Sequence, residues 1–385
     1  SAMLHIFDNG FYKGHSATKR TSAVSLSGAG RKGSAHIGVM KRLDEEVQKR
    51  GVIGSIDLIV GVSSGAMVAS GWSILEREYL EHPERFQGYA GPAHRLEHIL
   101  HEDPNFYKLI GTLNFFSYSG FVDKTPLKNF FRRLVDERTF RDAPKLRIVV
   151  HNLTTGQDIV FGEVGKDTKI VDALDATVAV AGLIQEEGWK YPPINDINGN
   201  VLIKEGDTLV DGGTIRKSPF RYIIARDYDM AFDVYLGRPT YPISIGKREP
   251  PESLPHLLLQ ILTHPLVLKS KVGKKILRDV EIFSSAAATR DWFDYSEDVL
   301  ANTGMSVEEA IKGKVPGVMI IAPYMEHTSM AVNGVPVELV GFGYKAADES
   351  IKVYLAQKEL EIQPAREHLT NTAHKPSILD GLRGL

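Results

Sequence analysis

The fold is decided by the stretch Ile56-Asp57-Leu58-Ile59-Val60-Gly61-Val62-Ser63-Ser64-Gly65-Ala66. Its first half is an apolar run typical of a buried strand, and its second half matches the pattern G-x-S-x-G. In this pattern a serine lies on a sharp turn between a strand and a helix, and the flanking glycines let the backbone pack closely. The spacing selects Ser63, because Gly61 and Gly65 lie two residues to either side of it.

Strand and helix signals alternate on both sides of this stretch. The strand candidates are Ser22–Ser27, Ile56–Val60, Leu146–His151, Thr208–Val210, Ala231–Tyr235 and Val318–Ala322. Helices are predicted to begin near Ser34 and to span Ala66–Leu75 and Tyr344–Lys358. Strands separated by helices favour a parallel sheet with helices on both faces. We therefore predict an α/β fold with three layers, α/β/α, around a mostly parallel central sheet.

The chain is predicted to form one large domain with insertions. The domain spans 22–358, with insertions near 79–133 and 250–315. An N-terminal arm at 1–21 precedes it, and the first three residues of this arm resemble an expression-tag remnant. A polar tail at 359–385, which contains two prolines, follows the domain and is predicted to be partly disordered.

Composition narrows the classes of function. The 385 residues include 46 basic and 48 acidic side chains, so the net charge of −2 gives no electrostatic case for nucleic acid as a partner. The lack of cysteine excludes disulfides, a thiol nucleophile and cysteine-ligated metal sites. We predict no cofactor and no metal.

The sequence shows no signal-peptide pattern and no apolar run near the ~20 residues of a bilayer span. The cytoplasm is therefore the expected location, and export by a signal-less route stays open. The oligomeric state does not follow from the sequence.

A glycine-rich loop precedes the first predicted helix. Gly28, Gly30 and Gly33 match G-x-G-x-x-G, which is also the fingerprint of dinucleotide-binding folds. That fingerprint requires an acidic residue ~20 positions later, at the far end of the second strand, whereas Asp57 lies at the start of its strand. The competing interpretation is an oxyanion hole, in which backbone N–H groups at a helix N-terminus face a developing negative charge.

Taken together, the motifs resemble those of the patatin-like phospholipase family. The similar segments are Ser25–Val39, Ile56–Ala66, Leu153–Gly156, Val160–Phe161, Leu209–Gly213 and Gly343–Ala347, so the resemblance extends from about Ser22 to Lys358. It implies a lipid acyl hydrolase that cleaves carboxylic esters of phospholipids or other acyl lipids through a serine–aspartate dyad and an acyl-enzyme intermediate. It is also compatible with peripheral contact with a membrane.

The resemblance assigns roles to individual residues. Ser63 becomes the nucleophile and Asp211, 148 positions later, becomes the base. The oxyanion loop comprises Gly28, Ala29, Gly30 and Arg31. The motif glycines are Gly33, Gly61, Gly65, Gly212 and Gly213.

Two departures from the family pattern leave an alternative open. Ala29 replaces the middle glycine of the oxyanion loop, and it would be strained if that position requires a positive φ. The family's Ala-Ser-x-Ala-Ile-Pro stretch, which lines the site in relatives, is replaced by Ala176–Ala181, and the proline pair Pro192–Pro193 follows only later. A catalytically inactive lipid-binding relative therefore stands as an alternative, beside a nucleotide-binding oxidoreductase that uses the glycine loop.

Three further features carry weaker hypotheses. His264, His327 and His368 lie downstream in the order expected of a serine–aspartate–histidine triad, although none has a recognisable motif around it. The aromatic residues of 79–133 are compatible with a lid over an acyl-chain groove or with ordinary packing. The leucine-rich stretch 254–276 favours a core-facing helix over a helix at a membrane surface.

Overall fold

The computed structural model describes residues 21–28, 33–49, 51–102, 125–179, 188–214, 218–224, 228–236, 296–322 with gaps at 298, 302, 308, 310–311, 313 and 315–316, and 336–373. Its strands are β1 (Ser22–Leu26), β2 (Leu58–Gly61), β3 (Leu146–Asn152), β4 (Gln157–Phe161), β5 (Ile194–Asn195), β6 (Val201–Ile203), β7 (Leu209–Asp211), β8 (Met230–Val234) and β9 (Val318–Ile321). Its helices are α1 (Ser34–Lys49), α2 (Ser64–Glu81), α3 (Pro92–Glu102), α4 (Thr125–Val135), α5 (Ile170–Thr177), α6 (Arg221–Ile224) and α7 (Pro336–Ala373), with short 3₁₀ turns at Pro83–Phe86 and Gly212–Thr214.

A seven-stranded sheet forms the centre of the domain. Its order is β4-β3-β2-β1-β8-β9, and β7 pairs with β3 outside this path. The pairs β1–β2, β1–β8, β2–β3 and β8–β9 are parallel, whereas β3 pairs antiparallel with both β4 and β7. The prediction of an α/β fold with a mostly parallel sheet is confirmed.

Alternate side chains of the strands enter two apolar clusters on opposite faces of the sheet. In β1, Val24 and Leu26 belong to the larger cluster, and Ala23 belongs to the smaller one. Helices α1 to α5 and α7 contribute to the larger cluster, while α6 and the segment 299–307 contribute to the smaller one. Because successive strand residues point to opposite faces, burying both sets of side chains requires helices on both sides.

Strand β3 has different neighbours along its length, and this brings two distant parts of the chain together. On one edge it pairs first with β2, where Ile148 lies opposite Gly61, and then with β7, where Val150 lies opposite Asp211. Strand β7 must occupy this edge beyond the end of β2, because β4 covers the other edge of Val150. Since β7 runs antiparallel to β3, its last residue returns towards Ser63.

All six predicted strands agree with the structure to within two residues, but three hairpin strands were not predicted. These are β4, β5 and β6, and all of them pair antiparallel. Helix α3 lies inside the predicted insertion 79–133, and α4 begins inside it and ends two residues beyond it. Their side chains Leu96, Phe130 and Phe131 are buried in the larger cluster. The aromatic residues proposed as a lid, from Phe106 to Phe121, lie outside the described residues, as does 254–276.

The predicted bounds of the last helix were wrong at both ends. The prediction was Tyr344–Lys358, whereas α7 spans Pro336–Ala373 and enters the segment predicted as a polar tail. At its start, Pro336 occupies the first helical position, where the missing N–H is not needed. At its other end, Pro364 does not stop the helix, and the residues before it are good helix formers. Within the described ranges, no helix offers an apolar stretch long enough to cross a bilayer.

Helices α1 and α7 approach each other at two glycines. A Cβ atom on Gly38 of α1 would overlap the carbonyl oxygen of Val340 in α7. A Cβ atom on Gly343 of α7 would overlap the carbonyl oxygen of Ala35 in the first turn of α1. Neither position tolerates a side chain without moving the two backbones apart, so these glycines set the distance between the helices.

We expect Gly343→Ala to destabilise the domain, because the new methyl group would push against the main chain of α1. Overpacking of this kind costs roughly 1–3 kcal/mol of unfolding free energy. Gly341→Ala is the matched control two residues away in the same helix, where an added Cβ would have no neighbour within 4 Å. It should stabilise by about 0.5–1 kcal/mol through helix propensity. Thermal and urea unfolding measure both effects, and equal changes for the two variants would contradict the close approach.

Candidate active site

Ser63 lies on the turn between β2 and α2 in a backbone conformation that few side-chain-bearing residues adopt. Its φ is 54° and its ψ is −128°. In the described part of the chain, only Asp136 joins it as a residue other than glycine with a positive φ. Such conformations cost on the order of 1–3 kcal/mol and are found where the surroundings fix them, often at functional sites. Ser63 therefore has the strained geometry expected of a nucleophile turn.

Steric constraints explain why glycine occupies both motif positions that flank Ser63. A Cβ on Gly61 would lie 2.5 Å from the backbone nitrogen of Ala66, in the first turn of α2. A Cβ on Gly65 would overlap the carbonyl oxygen of Leu26, at the end of β1. The turn is thus so tight that its helix packs directly on the ends of two strands, and only glycine fits at both places.

The carboxylate of Asp211 lies beside Ser63. Its backbone is placed by the pairing of β7 with β3, and its side chain accepts a hydrogen bond from the Ser63 hydroxyl. A second hydrogen bond comes from the backbone N–H of Gly213 to Asp211 Oδ1, at 2.7 Å. Asp211 is only 4% exposed, whereas Ser63 is half-buried. The two residues that the family resemblance singled out are therefore in contact.

Burial changes the acidity of this carboxylate. Removal from water raises the pKa of Asp211 from 3.8 to about 7, although the hydrogen bonds from Ser63 and Gly213 act in the opposite direction. Desolvation disfavours the charged form of a carboxyl group, and here it outweighs the two donors. A group with a pKa near neutrality can exchange a proton with a hydroxyl far more readily than an ordinary aspartate can.

The next two glycines allow the chain to turn closely behind Asp211. A Cβ on Gly212 would lie 3.0 Å from both the carbonyl oxygen of Val149 and the side chain of Val62. At Gly213 the closest atom to a Cβ would be Asp211 Oδ1 itself, at 3.0 Å. Side chains at these positions would compete with Asp211 for the space beside the turn.

Both ends of the glycine-rich loop lie against the Ser63 turn. A Cβ on Gly28 would be 3.3 Å from the Cβ of Ser63, and a Cβ on Gly33 would be 2.6 Å from the Cβ of Ser64. Helix α1 begins directly after Gly33. Ala29, Gly30 and Arg31, which were predicted to complete the oxyanion loop, lie outside the described residues. The loop thus leaves and re-enters the described structure beside the candidate nucleophile.

Sequence reasoning missed Thr177 as a contact of the candidate site. Its hydroxyl accepts a hydrogen bond from the backbone N–H of Ser63 at 3.0 Å and donates one to the carbonyl oxygen of Val149 at 2.8 Å. The only signal in the sequence was indirect, because Thr177 belongs to the segment Ala176–Ala181 that was expected to line the site by resemblance.

Other chemical hypotheses find less support in the described structure. Asp57 accepts hydrogen bonds from the Ser22 N–H and the Ser55 hydroxyl. It lies at the N-terminal ends of β1 and β2, whereas the glycine loop follows the C-terminal end of β1. It is therefore not placed to bind a ribose beside that loop.

The histidines considered for a catalytic triad cannot be compared with this site. His264 and His327 lie outside the described residues, and so does the side chain of His368. In the described segments, no three histidine, aspartate or glutamate side chains are grouped as metal ligands would be.

Comparisons with known proteins identify the family of the chain. The family model for patatin-like phospholipase matches residues 24–224, which include Gly28, Ser63 and Asp211. Among solved structures, the chain is similar to the crystal structure of VipD from Legionella pneumophila, with 15% sequence identity, a TM-score of 0.36, and coverage of 89% of this chain and 68% of that chain. A search of curated proteins gives no significant match. Since the family match spans more than half of the sequence, the chain belongs to the patatin-like phospholipase family, a family of lipid acyl hydrolases.

Proposed function

We propose that this protein hydrolyses carboxylic ester bonds of phospholipids or other acyl lipids, with Ser63 as the nucleophile and Asp211 as the base. The observation that carries the proposal is the hydrogen bond from the Ser63 hydroxyl to the buried Asp211 carboxylate. A nucleophile and a base within hydrogen-bonding reach are the minimum that acyl transfer requires. No histidine is needed between them, because the carboxylate receives the proton directly.

The proposed reaction proceeds through an acyl enzyme. Asp211 takes the hydroxyl proton as Ser63 Oγ attacks the ester carbonyl, and the tetrahedral intermediate carries a negative charge on the former carbonyl oxygen. When the C–O bond to the leaving group breaks, the protonated Asp211 returns the proton to the departing alkoxide. Water then attacks the acyl enzyme and gives a proton to Asp211. As the second intermediate collapses, Asp211 returns this proton to Ser63 Oγ, which releases the carboxylic acid and restores both residues.

The negative charge of each tetrahedral intermediate requires hydrogen-bond donors. We propose that the backbone N–H groups of the loop from Gly28 to Arg31 supply them, because the described end of this loop at Gly28 is close to Ser63. The N-terminus of α1 adds a favourable dipole at the other end of the loop. The backbone N–H of Ser63 does not contribute, since it is hydrogen-bonded to Thr177.

Substitution of the two proposed catalytic residues should abolish ester hydrolysis. We expect Ser63→Ala and Asp211→Asn each to lower kcat for a short-chain p-nitrophenyl ester by roughly 10⁴-fold or more, as when a nucleophile or its carboxylate partner is removed from a serine hydrolase. Ser64→Ala is the control, because it tests the neighbouring serine of the same motif and leaves its backbone in place. A loss of activity in Ser64→Ala with full activity in Ser63→Ala would show that Ser63 is not the nucleophile and would point to Ser64 instead.

The pH dependence of hydrolysis should report the raised pKa of Asp211. The base must be ionised to accept the proton, so kcat/KM should rise with pH through a midpoint near the pKa of about 7. The measurement is a pH–rate profile with an ester whose own hydrolysis is corrected at each pH. A midpoint near 4, the ordinary value for aspartate, would mean that burial does not tune this carboxylate.

The same burial makes Asp211 a source of instability when it is ionised. Its pKa is higher in the folded protein than in the unfolded chain, so the folded state binds the proton more tightly and loses stability as pH rises from 3.8 to about 7. Asp211→Asn removes the charge, and the variant should melt at a higher temperature than the wild type at pH 8, with the difference shrinking towards pH 4.

Asp167→Asn provides the comparison for this stability measurement. Asp167 is exposed, and its hydrogen bond with Arg141 lowers its pKa, so its replacement should not raise the melting temperature at any pH. A melting temperature for Asp211→Asn at or below that of the wild type throughout the pH range would contradict the charge penalty at Asp211.

A further inference from the structure

The side chain of Thr177 connects three elements around the proposed nucleophile. Thr177 is the last residue of α5 and is fully buried. A threonine hydroxyl has one proton to donate, and here that proton goes to the Val149 carbonyl of β3, at 2.8 Å. The oxygen therefore faces the Ser63 N–H as an acceptor, at 3.0 Å. The direction of each bond is fixed by the other.

This contact acts on the residue whose backbone is most constrained. Ser63 precedes the first residue of α2, so its N–H has no partner within the helix. This N–H instead meets the end of α5, 3.0 Å from the Thr177 hydroxyl oxygen. The Thr177 hydroxyl satisfies this donor and restrains the backbone dihedrals that set the direction of the Ser63 side chain.

The chain just after Thr177 also holds the proposed base. The carbonyl oxygen of Ala179 accepts the backbone N–H of Asp211, at 2.9 Å. Val149, to which the Thr177 hydroxyl is anchored, is adjacent to Val150, the strand partner of Asp211. The segment from Thr177 to Ala179 therefore contacts the main chain of both residues of the proposed dyad, one through a side chain and the other through a backbone carbonyl.

We infer that Thr177 is a positioning residue, whose hydroxyl holds Ser63 in the orientation that hydrogen-bonds to Asp211. This inference rests on the proposed function of Ser63 and Asp211. The hydroxyl is buried and both of its hydrogen bonds go to the protein main chain, so it does not touch substrate. Its loss should therefore lower kcat and leave KM nearly unchanged.

Two substitutions separate the hydroxyl from the shape of the side chain. Thr177→Val keeps the branched shape and removes the hydroxyl, and we expect kcat to fall by about 10- to 100-fold, the range associated with small misplacements of a reacting group. Thr177→Ser keeps the hydroxyl and should retain kcat within about threefold of the wild type. Rescue by serine distinguishes positioning from packing, because serine removes a methyl group and would be the worse variant if packing alone mattered.

Thr303→Val is the matched control. The Thr303 hydroxyl also donates to a carbonyl, that of Val299 at 2.7 Å, and accepts a backbone N–H, that of Met305 at 3.1 Å. Its hydrogen bonds join only neighbouring residues of its own segment. Thr303→Val should therefore leave kcat unchanged, even where its melting temperature falls as much as that of Thr177→Val.

Amide hydrogen exchange at Ser63 tests the bond without relying on catalysis. Exchange should be faster in Thr177→Val than in the wild type and unchanged in Thr177→Ser. The inference is overturned if Thr177→Val keeps wild-type kcat while Ser63→Ala is inactive, or if exchange at Ser63 does not change. Full activity of Ser63→Ala would instead remove the proposed function, and the positioning role with it, whatever the exchange rates.

Discussion

The edge of β3 that is shared by β2 and β7 is the constraint on which the site depends. Backbone ladders advance by a fixed rise of about 3.3 Å per residue. Once Ile148 lies opposite Gly61 and Val150 lies opposite Asp211, the end of β2 and the end of β7 must face each other across a short gap. Side chains then refine this arrangement, but the main-chain hydrogen bonds of one strand create it.

The sequence predicted the Ser63 turn well because its requirements are local. A strand, two glycines at fixed spacing and a helix of small residues are all visible in one stretch, and the tight packing of Gly61 and Gly65 explains that spacing. Asp211 could be identified only by resemblance, because Asp-Gly is also an ordinary turn sequence and the pairing of β7 with β3 leaves no local mark. Thr177 was missed for the same reason: a hydroxyl at a helix end gains its role only from what folds against it.

The hydrogen bonds to Asp211 fix the position of its carboxylate, but they also lower its pKa. A carboxylate that accepts two or three backbone N–H bonds can have a pKa far below its ordinary value, which would make it a poor base. Asp211 receives one backbone bond, from Gly213, and one from Ser63, and burial overcomes both. The stability lost by burying a charge and the basicity gained by it are therefore the same free energy, expressed in two different measurements.

The separation of Ser63 and Asp211 along the chain also has a consequence for the order of folding. Strands β1, β2 and β3 can pair once synthesis has passed the end of β3 at Asn152, and with them the strained turn can form. The carboxylate arrives only with β7, some 60 residues later. Long-range pairings of this kind raise the contact order of a protein and tend to form late. A nascent chain thus carries Ser63 well before it carries Asp211, so the proposed dyad is completed only late in chain synthesis.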